Sequence, residues 1–377
     1  MIRVAIAGDF CATNRLENLI QNREYDRILS SAKCFFSEFD LSVVNLEAPI
    51  ATPSSLPIKK DGPCLKCSEE SVEALHYAGV GLVTLANNHL GDYGPESVMN
   101  TMNICRKHEV ETVGAGKNKE DAAAIKYISV KDRVLAFINC CEHEFSIATT
   151  NTPGANHLGT IPIYYSIKEA RKMADYVILI THGGHEHYQL PSPRMKELYR
   201  FFVDAGADAV INHHQHCISG YEIYNDKPIA YGIGNFCFDE NNTHGDTWSI
   251  GMIACLNLED KNISLSFQPF IQCDDLPTIE FRTDITQTAL SQVESLSKII
   301  ADDNTLLQSY QVFLQPKERT YMNIFEPYGG YVLSALYRRK LLPSIVGVKK
   351  HIRNYGFVFC ESHFDIVKYW LSKKRGQ

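Results

Sequence analysis

Short apolar, β-branched runs alternate with helical patterns through the first two thirds of the chain, and this alternation restricts the fold more than any other feature. Strands joined by helical crossovers form a parallel or mixed sheet with helices on its faces. We therefore predict an α/β fold. The predicted strands cover residues 4–7, 42–46, 80–86, 134–139, 176–181, 209–212 and 229–233.

One predicted helix has both ends marked in the sequence. Ser192 is a good capping residue, and Pro193 suits the first helical position. Gly206 suits the left-handed residue that follows many helices. The apolar residues between these signals recur at helical spacing; they are Met195, Leu198, Tyr199 and Phe202.

The last third of the chain changes character twice. Two strand-like runs, 250–258 and 263–271, flank a polar turn and predict a hairpin that closes the sheet. After Pro277 the pattern is mostly helical, through residues 285–314. We therefore predict a main domain at residues 1–275 and a helical, basic C-terminal extension at 276–377.

The C-terminal extension is strongly basic at its end. From Tyr331 onwards, ten Lys and Arg residues stand against two acidic ones, in a chain whose net charge is -7. Aromatic residues are interleaved with this charge, which suits contact with an anionic membrane surface or polymer. The alternative interpretation is a solvated segment that packs on the acidic body of the protein.

Overall charge and the N-terminus exclude several classes of protein. A net charge of -7 gives no signature of nucleic-acid binding. Met1 leads directly into a strand-like run without the features of a signal peptide, and no stretch reaches the ~18 apolar residues of a membrane span. We expect a cytoplasmic protein, or one peripheral at the inner membrane face, whose twelve cysteines are mostly free thiols.

Histidines are concentrated in one part of the chain. Six of the 14 lie between residues 182 and 216, where an even spread would place about one. His214 and His216 are separated by one residue, a spacing that aims both imidazoles to one face of a strand. This cluster therefore predicts a site that uses imidazole groups.

Polar residues of ligand type end five of the seven predicted strands. In an open α/β sheet, ligands gather beyond the carboxyl ends of the strands. Carboxylate, amide and imidazole groups together suit a divalent transition metal such as Mn²⁺, Fe²⁺ or Zn²⁺, and the histidines disfavour Mg²⁺. The residues are sufficient for two ions; they are Asp9, Asn45, Glu47, Asn87, Asn88, His89, His182, His213, His214 and His216.

Several of these motifs follow one another in a characteristic order. They are Gly8-Asp9, Asn45-Leu46-Glu47 and residues 85–94, 113–116, 205–216 and 229–236. In this order they resemble the CapA family of bacterial capsule (poly-γ-glutamate) synthesis proteins, over roughly residues 3–240. The resemblance implies a calcineurin-like metallophosphoesterase fold, which is a four-layer α/β/β/α sandwich around a two-metal site.

The resemblance also implies a role for each site residue. The metal ligands would be Asp9 and His216 for the first ion, Asn88, His182 and His214 for the second, and Glu47 for both. His89 would donate a proton to the leaving group, and Asp92 would orient His89. His185 and Asn235 are candidates for substrate contact; the alternative interpretations of His185 are a contact with metal and an exposed loop histidine.

Two departures from the family pattern bear on the metal site. Metallophosphoesterases usually have a histidine two residues after the first aspartate, where this chain has Cys11. Cys11 is either a thiolate ligand or an inert small residue, and a single ion is the alternative to two. Cys64 and Cys67 form a Cys-x-x-Cys pair, but a zinc ribbon needs a second such pair.

These inferences favour a metal-dependent hydrolase or transferase of capsule or poly-γ-glutamate biosynthesis. Its substrate would be an anionic polymer or a phosphorylated compound, attacked at a phosphoryl or γ-glutamyl amide centre, and its partners the capsule-synthesis machinery. The alternative is a non-catalytic accessory protein that uses the same fold as a platform for polymer assembly or export. A cysteine nucleophile at Cys217 or Cys237 is disfavoured, because the sequence identifies no base and orienting group to accompany it.

Overall fold

The computed structural model describes residues 1–60, 62–240, 247–260, 262–323, 326–350 and 354. The chain divides into two compact units, Met1–Leu307 and Gln308–Gln377. The helices of the first unit are α1 (Arg15–Gln21), α2 (Tyr25–Phe36), α3 (Glu69–Tyr77), α4 (Gly94–Lys107), α5 (Lys119–Ala122), α6 (Thr160–Met173), α7 (Pro193–Ala205) and α8 (Thr283–Ala301). Further helices are α9 (Asp303–Leu314), α10 (Glu318–Met322) and α11 (Tyr331–Arg338).

Strands alternate with these helices, as the sequence predicts. They are β1 (Ile2–Cys11), β2 (Leu41–Leu46), β3 (Leu82–Thr84), β4 (Glu111–Val113), β5 (Ala115–Gly116), β6 (Lys126–Val130), β7 (Arg133–Cys141), β8 (Gly154–Ala155), β9 (Tyr176–His182), β10 (Ala209–His213), β11 (Tyr221–Tyr224), β12 (Lys227–Ala230), β13 (Asn235–Phe238), β14 (Ile250–Glu259), β15 (Asn262–Gln272) and β16 (Ile279–Glu280). Each predicted strand run overlaps one of them. The predicted hairpin is β14–β15, and β14 joins the sheet antiparallel to β1.

Two large sheets organise the first unit. One has the strand order β16-β15-β14-β1-β2-β3-β4, with β13 also paired to β1, and the other has the order β11-β12-β10-β9-β7-β6. Strands β1 to β4 run parallel to one another, and so do β7, β9, β10 and β12. Parallel neighbours place their carboxyl ends at the same edge of a sheet, which is where the predicted ligands lie.

Three apolar clusters show how the layers stack. The first joins helices α1 to α4 to one sheet, and it includes Leu29 and Val44. The second lies between the sheets, with Ile6 from β1 and Ile180 from β9. The third joins the other sheet to α6 and α7 and includes Phe202. This α/β/β/α order confirms the predicted four-layer sandwich.

The C-terminal region differs in part from its predicted organisation. The domain boundary after residue 275 stays a prediction. The first compact unit of the structure ends at Leu307. Helix α8 belongs to the first unit, because its Val293 and Ile300 are buried in the apolar clusters of that unit. The second unit is helical in its described residues. Of the predicted basic stretch, Arg353 and residues 355–377 lie outside the described residues.

The described cysteines are free thiols, and most of them are buried. Among the described ranges, no helix combines the length and apolar character that crossing a lipid bilayer requires. The cellular location given above stays a prediction.

The predicted helix caps of α7 are confirmed. The Ser192 Oγ accepts a hydrogen bond of 3.2 Å from the backbone N–H of Met195, and Gly206 adopts a φ of 122°. We expect Ser192→Ala to lower the free energy of unfolding by about 1 kcal/mol, because it leaves an N–H of the first turn without a partner. Urea denaturation measures this change.

Ser68 is the matched control for this prediction, because it occupies the same position at α3 but makes no capping bond through its side chain. Ser68→Ala should therefore change the stability less than Ser192→Ala. Equal effects of the two substitutions would contradict the assignment.

Candidate metal centre

The carboxyl ends of four strands converge on one buried site. Asp9 lies in β1, Glu47 follows β2, His182 ends β9 and His213 ends β10. The Asn45 Nδ2 donates a 2.7 Å hydrogen bond to Asp9 Oδ1, which fixes that carboxylate in the sheet. The structure therefore brings together residues that are up to 204 positions apart in the sequence.

Asp9, Glu47 and His216 form one possible ion position. The ligand atoms of the three lie within 4.8 Å of one another. The His216 Nδ1 is 3.5 Å from Asp9 Oδ2, and its Nε2 is 3.7 Å from Glu47 Oε1. These are the residues that the family resemblance assigns to the first metal.

Glu47, His182 and His214 form a second possible position beside it. The His182 Nε2 lies 3.4 Å from Glu47 Oε1, 3.1 Å from His214 Nδ1 and 3.0 Å from Asn88 Oδ1. Glu47 belongs to both groups, as a bridging carboxylate would. The structure therefore brings Asn88, Glu47, His182 and His214 together, and their assignment as metal ligands stays a prediction.

Unsatisfied polar atoms show that these residues fit a cation. Both carboxylate oxygens of Glu47 and both ring nitrogens of His213 are buried without a hydrogen-bond partner. Such groups are costly to bury unless something compensates them. A divalent ion among oxygen and nitrogen donors satisfies this requirement.

The electrostatics of the site lead to the same conclusion. Burial raises the pKa of Asp9 to about 7. Burial, and then the negative charge of Asp9, raise the pKa of Glu47 well above its usual range, with a further contribution from Glu186. Burial, and then the charge of His214, lower the pKa of His182. A bound cation favours ionised carboxylates, and so opposes the raised pKa values of Asp9 and Glu47. It also favours neutral imidazoles, in the same direction as the lowered pKa of His182.

The histidine-rich segment differs from the alternating strand that its spacing predicts. Strand β10 ends at His213, and His214 and His216 follow it with positive φ angles of 92° and 54°. The imidazoles of His214 and His216 come together because the backbone turns after β10. The prediction that strand alternation aims them to one face is wrong. Residues other than glycine rarely adopt such angles, and they concentrate at functional sites. His213 also lies near the centre, with Nδ1 3.9 Å from Asp9 Oδ1.

His89 and Asp92 form the expected pair, and a third residue joins them. The His89 Nδ1 is 2.7 Å from Asp92 Oδ2, and the Lys60 Nζ donates to Asp92 Oδ1 at 2.5 Å. The Lys60 Nζ also lies 3.2 Å from His89 Nδ1, and the lysine side chain is only 3% exposed. Lys60 was missed in the sequence because it lies on an irregular loop without a recognisable pattern.

Asn235 has a different environment from the one predicted. Its side chain is fully buried, and the Oδ1 accepts a 2.8 Å hydrogen bond from His216 Nδ1, which favours positioning of His216 over contact with substrate. Gly8 permits this arrangement, because a Cβ there would stand 1.8 Å from the Gly234 carbonyl oxygen and separate β13 from β1. His185 is half-buried on the loop after β9, and its substrate contact stays a prediction.

The two alternatives for Cys11 are distinguished by its position. The Cys11 Sγ lies 3.9 Å from the Cys67 Sγ, inside the apolar cluster under the helices. Burial raises the pKa of Cys11 well above its usual range, which disfavours a thiolate. The Cys64 Sγ lies 3.5 Å from the carbonyl oxygen of Ile58. Among the described residues, no cysteine belongs to a group that could hold a metal.

Comparisons with known proteins find relatives of the first two thirds of the chain. The family model "Bacterial capsule synthesis protein PGA_cap" matches residues 3–240. The capsule biosynthesis protein CapA of Bacillus anthracis is 28% identical over 247 residues, which are 63% of this chain and 60% of that protein. The PGA biosynthesis protein CapA of Bacillus subtilis (strain 168) is 30% identical over 244 residues, 64% of each chain.

A solved structure is also similar. The crystal structure described as a novel phosphatase from Mycoplasma pneumoniae aligns with a TM-score of 0.44 and 14% identity, over 76% of this chain and 96% of that one. The chain itself spans 60% and 64% of the lengths of the two curated relatives named above.

Proposed function

The chain belongs to the PGA_cap family of bacterial capsule synthesis proteins, and from that premise we propose that it is a metal-dependent hydrolase or transferase of surface-polymer synthesis. Its substrate would be an anionic polymer of the poly-γ-glutamate type or a phosphorylated compound. The reacting centre would be a γ-glutamyl amide or a phosphoryl group. The capsule-synthesis machinery would be its partner.

The ligand set of the proposed enzyme comes from the two groups at the strand ends. Asp9 and His216 would hold one ion, and His182 and His214 the other, with Glu47 shared. Asn88 would add its amide oxygen on the side of His182. When bound, a pair of Mn²⁺, Fe²⁺ or Zn²⁺ ions lowers the pKa of a water and neutralises charge that develops on the reacting centre.

His89 would handle the proton of the leaving group. Its Nδ1–H donates to Asp92, which leaves Nε2 as the atom that exchanges a proton with the substrate. His89 directly follows Asn88, whose Oδ1 lies 3.0 Å from the His182 Nε2, so the two residues stand at the same edge of the sheet. Asp92 and Lys60 would position His89 without touching the substrate.

The single observation that carries the proposal is Glu47. Its carboxylate is buried, unpartnered and shared by two groups of ligands. A buried carboxylate without a hydrogen-bond partner is costly in a fold that holds no cation, whereas ions on both sides of it would offset that cost.

Metal content and turnover test the proposal together. Protein purified without chelator should contain up to two equivalents of transition metal and, with Mn²⁺, should hydrolyse a model phosphodiester or poly-γ-glutamate. Asp9→Ala and His214→Ala should each remove at least one equivalent and abolish turnover, because each deletes a buried ligand. Elemental analysis and a product assay give the two readouts.

His76→Ala is the matched control, because His76 is exposed on α3, in the layer of helices α1 to α4. It should keep the metal and the activity of the wild type. Turnover that survives both ligand substitutions would exclude the assigned site. Polymer binding by a protein that holds no metal would favour the accessory role instead.

A further inference from the structure

The predicted first-metal position lacks the histidine that the fold usually supplies, and a further carboxylate lies beside the centre. Cys11 occupies the place of the usual histidine, but its thiol faces Cys67 in the apolar cluster. Asp9, Glu47 and His216 are then the side chains grouped at that position. A structural or catalytic transition-metal site usually has at least three protein ligands, and a carboxylate is an acceptable fourth.

The carboxylate of Glu186 lies on the side of this centre that faces solvent. A carboxylate oxygen of Glu186 and one ring nitrogen each of His214 and His216 all lie within 4.8 Å of one another. Unlike the two histidines, Glu186 is exposed, so its side chain approaches the centre from the solvent side.

The loop that carries Glu186 is attached to the histidine segment by its backbone. The His187 N–H donates to the carbonyl of Gln215 at 2.9 Å, and the Gln215 side chain donates to the carbonyl of Tyr188 at 2.9 Å. His187 adopts a φ of 60°, in the left-handed region. These bonds fix the two residues that directly follow Glu186 relative to His214 and His216.

We propose that Glu186 is a ligand of the metal centre and joins His214 and His216 there from the loop after β9. This inference rests on the proposed function, since it assumes that the strand-end residues hold metal. Glu186 adds a third carboxylate to Asp9 and Glu47, so the charge of two divalent ions is more nearly balanced. Because it is reached from solvent, it is also the ligand that a substrate anion can displace without opening the core.

Equilibrium Mn²⁺ binding tests the inference without an activity assay. The free ion is measured by its EPR signal during titration of metal-free protein. Glu186→Gln should weaken the binding of one of two Mn²⁺ ions by at least about tenfold, because it removes the charge but keeps the shape. The melting temperature of the metal-free variant should equal that of metal-free wild type, since Glu186 is exposed.

Two controls separate this inference from its alternatives. Glu197→Gln removes an exposed carboxylate from α7 and should leave the isotherm unchanged. Cys11→Ala should also leave it unchanged, whereas loss of an ion in that variant would make the thiol the ligand and overturn the inference.

The outcomes distinguish this inference from the proposed function. If Glu186→Gln binds two ions as tightly as wild type, the role of Glu186 is wrong and the metal centre stands. If metal-free Glu186→Gln melts lower than wild type, its role is structural and the inference is also wrong. If wild-type protein binds no Mn²⁺, both the inference and the proposed function fail.

Discussion

Lys60→Met should destabilise the protein by about 3–5 kcal/mol, because it leaves the Asp92 carboxylate buried without its counter-charge. The ion pair is almost completely enclosed, with the side chains of Lys60 and Asp92 exposed by 3% and 0%. Methionine fills a similar volume, so the change isolates the loss of charge from the loss of packing. The free energy of unfolding in urea measures the effect.

A double-mutant cycle shows whether the pair itself is responsible. Asp92→Asn combined with Lys60→Met removes both charges, and should be closer to wild type than Lys60→Met alone. Lys59→Met is the matched control. Lys59 precedes Lys60 and its side chain is exposed, so its substitution should change the free energy of unfolding by less than about 0.5 kcal/mol. Additive effects in the cycle would show that the two residues act separately.

The same substitution has a consequence for function. Asp92 also accepts hydrogen bonds from His89 Nδ1 and from the backbone N–H of Leu65, and its own carbonyl accepts one from Ile58. It therefore ties the irregular loop before α3 to the proposed proton donor. Lys60→Met should lower turnover while the metal content stays at the wild-type value, because Lys60 contacts none of the assigned ligands.

Much of this site was predictable, because strand ends have a simple sequence signature. An apolar run that finishes in Asp9, in Asn45-Leu46-Glu47 or in His182 marks the place where a buried strand meets a polar site. Parallel topology then brings those ends together whatever their distance in the sequence. The four-layer order came from the family resemblance, since alternating strands and helices alone do not distinguish one sheet from two.

Other features depended on backbone paths that one sequence does not show. His214 and His216 converge through residues of positive φ, and Glu186 reaches them because its loop folds back on β10. Lys60 lies on an irregular loop that is attached to Asp92 by hydrogen bonds from the backbone of Ile58 and Leu65. In each case the position is set by a turn or a long-range hydrogen bond, neither of which leaves a periodic pattern.

Glu47→Gln should not destabilise the metal-free protein, but it should reduce the stabilisation that metal provides. In the metal-free protein both oxygens of Glu47 are buried without a partner, and the charge of Asp9 opposes its ionisation. Replacing the acid by the neutral amide removes that unfavourable charge, so the metal-free variant should be at least as stable as metal-free wild type at pH 8.

Metal should then stabilise wild type much more than the variant. An ion at 100 times its dissociation constant stabilises the folded state by about 2.7 kcal/mol, so two ions that share Glu47 contribute about 5 kcal/mol to wild type. The variant should gain much less, because the amide offers one neutral oxygen in place of a bridging carboxylate. Thermal melting with and without Mn²⁺ gives all four values, and Glu259→Gln, an exposed carboxylate at the end of β14, is the control. If Glu47 served only the fold, the reverse results would be expected. The variant would be less stable than wild type without metal, and Mn²⁺ would change the melting temperature of neither protein.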